Sequence, residues 1–174
     1  THDLVDEAND PVLRQLHGCY LLNSESDPVK VVFHPDFVRA TSPLFALDYD
    51  QFVRGCHLGV FPSFYEPWGY TPLESIALGV PAVTSDLSGF GSYLKRLVPD
   101  HASKGVYVVP RRHNDFNLAA EELADRLFRF AALGRRDRIM LRNSVESLSQ
   151  HFDWNNLARR YHEAHDLALD RVSG

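Results

Sequence analysis

The sequence predicts an α/β domain in which a parallel sheet is flanked by helices. Three observations carry this. Four short Val-rich runs are bounded by Pro, Gly or Asp, stretches of helical periodicity separate them, and a helical pattern runs from Asn114 almost to the end. Alternation of apolar runs with helix-period stretches is what crossover helices over a parallel sheet produce. Such a sheet is buried on both faces, so its strands read as continuous apolar runs rather than strict alternation.

The expected strands cover residues 29–34, 58–62, 81–85 and 105–109. Between the first two, Asp48 is placed to cap a short helix through Phe52 and Val53 that ends near Gly55. A second helix is expected over 71–78, with Thr71 as N-cap, Pro72 in the first position and Glu74 closing a capping box; Gly79 stops it ahead of Pro81. Ser88-Gly89-Phe90-Gly91 reads as a tight turn opening the next helix, with a phosphate role as the alternative. It is no dinucleotide fingerprint, because Leu94 stands where G-x-G-x-x-G needs its third glycine. Beyond Asn114, Phe116, Ala120, Leu123, Leu127 and Phe130 recur at helical spacing and predict one inward stripe. Gly134 separates that helix from the next, and Asp153 caps a last one with Leu157, Tyr161, Ala164 and Ala168 turned inward. The whole, residues 1–174, reads as a single domain with a helical C-terminal layer over about 114–172.

Composition narrows the class. At 174 residues the chain suits one well-packed domain, and 44% hydrophobic with 24% charged residues excludes a disordered one. A net charge of −5 argues against a nucleic-acid binder. No apolar run approaches the roughly 20 residues that cross a bilayer. Thr1-His2-Asp3-Leu4 has neither the basic start nor the apolar core of a signal peptide, and without a Met it reads as a piece of a longer chain. Cys19 and Cys56 form no metal or redox spacing and fit free thiols in the cytoplasm. His162 and His165, three residues apart, lack further ligands for zinc, so no metal is expected and surface polarity accounts for them.

The chemistry concentrates in one segment. Glu66-Pro67-Trp68-Gly69-Tyr70-Thr71-Pro72-Leu73-Glu74 follows an expected strand and enters a helix. It therefore lies on the edge where open α/β sheets bind ligands. The helix start offers free N–H groups and the positive end of a dipole to a phosphate. Two carboxylates among Phe64, Tyr65, Trp68 and Tyr70 suggest a pocket. The plainer alternatives are a capping role for Glu74, a surface carboxylate at Glu66, and aromatics that line a core edge. Arg135, Arg138 and Arg142 stack on one helix face beside Arg136, as a solvated face or as guanidinium forks for phosphate.

The run from Leu47 to Glu74, ending in that nine-residue string, resembles the glycogen synthases of animals and fungi. So do Val29 to Phe37, Ser88 to Gly91, Arg135 to Ile139 and Phe152-Asp153-Trp154, which together cover nearly the whole chain. The E-x7-E spacing alone is common among retaining glycosyltransferases; the full string is far more specific. The resemblance implies the C-terminal Rossmann-like half of a two-domain GT-B glucosyltransferase, with the N-terminal half absent. It implies transfer of glucose from UDP-glucose to the non-reducing end of an α-1,4-glucan with retention, and no cofactor. Glu66 matches the carboxylate beside the donor glucose, and Glu74 the one that accepts from the ribose hydroxyls. Tyr70 and Thr71 match the helix-entry residues at the donor phosphates, with Trp68 and Gly69 in the same donor site. Tyr49 matches an aromatic that stacks on uracil.

Arg135, Arg136, Arg138 and Arg142 match the start of a helix that senses glucose 6-phosphate, although Ser144 and Ser147 depart from its later basic positions. A homo-oligomer is compatible with the family, and the fragment alone is expected to be inactive. The alternatives are a related retaining transferase for another sugar nucleotide and a non-catalytic sugar-phosphate-binding module.

Overall fold

The computed structural model describes residues 4–173. Residues 1–3 and 174, on which the expectations about the chain's start and end fall, lie outside the described residues. The chain divides into two compact units, one up to Tyr49 and one from Asp50 onward.

In the first unit, Asp10 caps helix α1 (Pro11–Gly18) by accepting from the N–H groups of Val12 and Leu13. The strand expected over 29–34 does not form. The Asn23 side chain takes both backbone groups of Val31, donating to its carbonyl at 2.7 Å and accepting from its N–H at 2.8 Å. Those are the groups a sheet ladder would have used.

The second unit holds the sheet. After α2 (Tyr49–Gly55) come β1 (Gly59–Val60), α3 (Tyr70–Ala77), β2 (Ala82–Ser85), α4 (Gly89–Leu97) and β3 (Val106–Val109). The strands lie parallel in the order β1-β2-β3, with Gly59 opposite Ala82 and Ala82 opposite Val106. All four residues of β2 are buried, as the central strand of a two-sided sheet demands. Its alternation divides the core. Ala82 belongs to a core cluster with Ile76, Phe90, Leu94, Val106, Val145 and Leu148 on one face, and Val83 to one with Val109 and Ala119 on the other. Helices α3, α4 and α6 (Arg135–Ser149) therefore cover one side and α5 (Phe116–Ala131) the other.

Three of the four expected strands thus form; β1 is trimmed at both ends, and β2 and β3 each lose only their first residue. Helix α3 ends as expected, with the N–H groups of Gly79 and Val80 turned back onto Ile76 and Ser75. Gly134 separates α5 from α6, and Asp153 caps α7 (Trp154–Ser173) through the Asn155 N–H. The α5 stripe is displaced. Ala119 and Phe130 are buried and Leu123 partly so, whereas Phe116 is 76% exposed, Ala120 is exposed and Leu127 lies at the margin. Two overlapping stripes share Leu123 and Phe130, and contact with Val83 and Val109 selects the one through Ala119. Of the four residues expected to turn inward on α7, Leu157 is half-buried, whereas Tyr161, Ala164 and Ala168 are exposed.

Candidate functional site

The carboxyl ends of β1 and β2 lie side by side, and the loop from Pro62 to Gly69 leaves the sheet there. Backbone bonds hold its far half against the start of α4. Gly89 N–H donates to the Glu66 carbonyl at 3.0 Å and Phe90 N–H to that of Trp68 at 2.6 Å. Glu66 also forms an isolated parallel bridge with Ser88. Ser88 is buried and caps α4, its hydroxyl accepting from Gly91 N–H at 2.9 Å and donating to Ser85 O at 2.9 Å. The first amides of α4 are therefore engaged with protein, which makes the Ser88–Gly91 turn a tight connection rather than a phosphate cradle.

Helix α3 takes its N-cap two residues earlier than its sequence suggests, at Gly69 rather than Thr71. Gly69, at φ +113°, is the N-cap and makes no side-chain cap bond. The left-handed turn costs glycine no Cβ clash, so it sets the helix start before Thr71 can act as cap. Tyr70, Thr71 and Pro72 become the first three helical residues. Glu74 is the fifth, too far along to bond back to the cap, so no capping box forms. Pro72 is tolerated because its missing N–H falls among those without an intrahelical partner. The N–H groups of Tyr70 and Thr71 lack intrahelical acceptors and sit at the positive end of the α3 dipole.

The side chains sort into two sets. Glu66 is half-buried in the loop; Tyr70, Thr71 and Glu74 are exposed at the start of α3, where Tyr70 and Glu74 share a face one turn apart. Trp68 and Gly69 face inward. The indole is half-buried against Phe90 and Tyr93, with ring centroids 6.1 and 5.9 Å away, and Gly69 is buried. Trp68, Tyr70, Leu73, Tyr93, Phe152 and Trp154 line a groove of about 420 Å³ beside α3. Phe64 and Tyr65 are exposed, so they do not line a core edge. Tyr49, the last residue of the first unit, opens α2 and is 42% exposed.

On α6, Arg135 and Arg136 are exposed and Arg138 half-buried. Arg142 reaches the end of α2, donating to Cys56 O at 2.9 Å and Arg54 O at 3.1 Å. Asp86, Arg111 and Arg112 belong to no sequence motif, and their one signal in the sequence is their position just after β2 and β3. Cys19 and Cys56 are free thiols. Among the described residues no group of three or more His, Cys, Asp or Glu is placed to hold a metal ion, and no helix is long and apolar enough to cross a membrane.

A parallel sheet whose ligand edge carries a loop carboxylate, followed by a helix start with free amides and a second exposed carboxylate, is the build of a Rossmann-like glycosyltransferase fragment. The family model described as Glycogen synthase matches residues 1–174. The chain is 51% identical over 172 residues to the glycogen [starch] synthase of Caenorhabditis elegans, covering 99% of this chain and 25% of that protein. It is 49% identical over 174 residues to isoform 1 of Saccharomyces cerevisiae, again 99% of this chain and 25% of the relative. For the human liver protein the figure is 46% over 172 residues, 99% of this chain and 24% of the relative. The chain belongs to the glycogen synthase family and spans about a quarter of the length of the curated relatives it matches.

Proposed function

We propose that this chain supplies the donor-binding half of a glycogen synthase, which transfers glucose from UDP-glucose to the non-reducing end of an α-1,4-glucan with retention. One observation carries the reading: the Glu66–Glu74 string is laid along the ligand edge of a parallel sheet, with a half-buried carboxylate before a helix start and an exposed one after it. Glu66 is the catalytic carboxylate, set to stabilise positive charge that develops at the anomeric carbon in an oxocarbenium-like transition state. The amides of Tyr70 and Thr71 receive the diphosphate, Glu74 accepts from the ribose hydroxyls, and Tyr49 stacks on uracil. Trp68 and Gly69 serve the donor site from behind by shaping the entry to α3. The reading calls for no resident cofactor or metal, since the helix end meets the phosphate charge. The glucan acceptor and further cationic groups belong to an N-terminal half, so these 174 residues alone bind UDP weakly and do not turn over.

Glucose 6-phosphate is the effector this reading assigns to α6. It falls chiefly to Arg135, Arg136 and Arg138, because Arg142 has two N–H groups engaged with α2. A cytoplasmic enzyme that assembles as a homo-oligomer fits the same proposal. The deciding experiment is Glu66→Gln in the full-length protein. Transfer should fall by about two orders of magnitude or more, as expected of a lost transition-state contact, while UDP affinity stays within about threefold. Undiminished transfer would exclude the role for Glu66. An intact parent that transfers no glucose at all would favour a non-catalytic sugar-phosphate-binding module, and transfer from another sugar nucleotide a related transferase.

A further inference from the structure

The loop that carries Glu66 is irregular from Pro62 to Trp68, and α4 fixes only its far half. Two other side chains fix the near half. Ser85, at the end of β2, donates its hydroxyl to the Ser63 carbonyl at 2.6 Å. Arg111, two residues beyond β3, reaches across the edge of the sheet and donates to the Pro62 carbonyl at 2.8 Å. Its guanidinium also lies 5.4 Å from the Phe64 ring centroid, within cation–π range. One guanidinium thus grips the loop at two points, by a bond to the Pro62 carbonyl and by a cation–π contact with the exposed Phe64 ring. A lysine could donate the bond, but its compact, strongly hydrated ammonium is a point charge, whereas the guanidinium fork can make the bond and face the ring at once.

The arm itself is anchored from below. Asp86 is 8% exposed, and one of its carboxylate oxygens accepts from Arg111 N–H at 2.7 Å and Arg112 N–H at 3.0 Å. The other lies 3.8 Å from the Lys95 ammonium, and the Asp86 carbonyl accepts a longer bond from the Arg112 guanidinium at 3.4 Å. A buried carboxylate is costly unless it is hydrogen-bonded or paired; here two amides bond one oxygen and the Lys95 ammonium faces the other. The turn after β3 is thereby held at a fixed point, from which the Arg111 side chain spans to the loop.

We infer that Arg111 is a positioning residue, which Asp86 orients and which holds the Glu66 loop in register with the start of α3. The inference rests on the reading of Glu66 as the carboxylate that serves glucosyl transfer. Loss of the grip leaves the donor's helix-end contacts in place and misplaces Glu66, so the defect falls on kcat rather than on KM for UDP-glucose.

The test uses the full-length protein with R111M and R111K, steady-state transfer from UDP-glucose, and hydrogen exchange of residues 61–69 with the α6 segment 135–149 as internal control. R111M is expected to lower kcat about tenfold or more with KM changed less than about threefold, and to speed exchange in 61–69 alone. R111K, which keeps the charge and the stem, should recover only part of both, and it carries the test where R111M fails to protect the α6 control. Unchanged exchange in 61–69 overturns the inference, as does a loss confined to KM, which would make Arg111 a donor contact. If the unaltered protein transfers no glucose, the reading of Glu66 fails, while exchange in 61–69 still decides whether Arg111 holds the loop.

Discussion

Replacing Gly89 by alanine should disable the site without touching any residue that would contact the donor. Gly89 sits where the backbone of α4 meets the Glu66 loop. A Cβ added there would lie 2.1 Å from the Pro67 carbonyl oxygen and 3.1 Å from Trp68 Cα. Both obstacles are backbone, so no rotamer change relieves them. Real Cβ contacts are essentially never under 3.0 Å, which requires the loop to withdraw by about 1 Å. Gly89 N–H also donates to Glu66 O, so the displacement enters next to the carboxylate. Overpacking of this kind costs about 1–3 kcal/mol of stability. Misplacement of a reacting group by about 1 Å can cost about 100-fold in rate. The expected phenotype in the full-length protein is a kcat lower by about two orders of magnitude, UDP affinity within a few-fold, and a urea midpoint modestly reduced. Full activity in a folded Gly89→Ala protein would refute the argument, because it would mean that the loop's position against α4 does not matter.

Three further changes probe the frame around the site. Ser88→Ala removes the α4 cap and the contact with the Thr84 hydroxyl at 3.0 Å, all in a buried setting, and should cost about 2–3 kcal/mol by chemical denaturation. Arg142→Met strips the bonds to Cys56 O and Arg54 O from the end of α2, and about 1–2 kcal/mol of stability should go with them. Burial holds the Tyr107 phenol above its ordinary value of 10, partly offset by Arg126. With the folded value raised, stability is intact below about pH 10 and falls as pH climbs from there through the folded value, where the unfolded chain ionises first. Urea midpoints at about pH 9 and about pH 11 should show that decline, and Tyr107→Phe should flatten it.

The legible parts of this fold are those set by local composition. The runs around Val60, Val83 and Val106 are short, apolar and bounded, and each forms a strand. The run around Val31 looks the same, yet Asn23, eight residues upstream, claims its backbone. A side-chain clamp of that kind leaves no periodic trace. The α5 stripe was visible as a period but not as a phase, since the choice between Ala119 and Phe116 depends on what Val83 and Val109 present to the helix. The candidate site divides in the same way. The string from Glu66 to Glu74 is contiguous, and its place on the ligand edge follows from the strand before it. The contact from Arg111 to Pro62 joins residues 49 apart and depends on the parallel order of three strands, which no local pattern encodes.

The two-residue advance of the α3 cap sharpens the case for Glu74. Read from sequence, Thr-Pro-Leu-Glu offered the carboxylate two occupations, capping the helix and accepting from a ribose. The left-handed turn at Gly69 removes the first, because Glu74 now lies a full turn past the cap. Among the described residues no hydrogen bond or ion pair engages its carboxylate, and the side chain is exposed on the face it shares with Tyr70. Glu74→Gln should therefore leave stability within about 0.5 kcal/mol, as for other exposed positions without structural contacts. Loss of a charged acceptor from a pair of hydroxyls should weaken UDP binding in the full-length protein by roughly tenfold to a hundredfold. Calorimetric titration with UDP beside a urea melt separates the two effects. A melt shifted by more than about 1 kcal/mol with affinity unchanged would return Glu74 to the helix and leave the ribose without its acceptor.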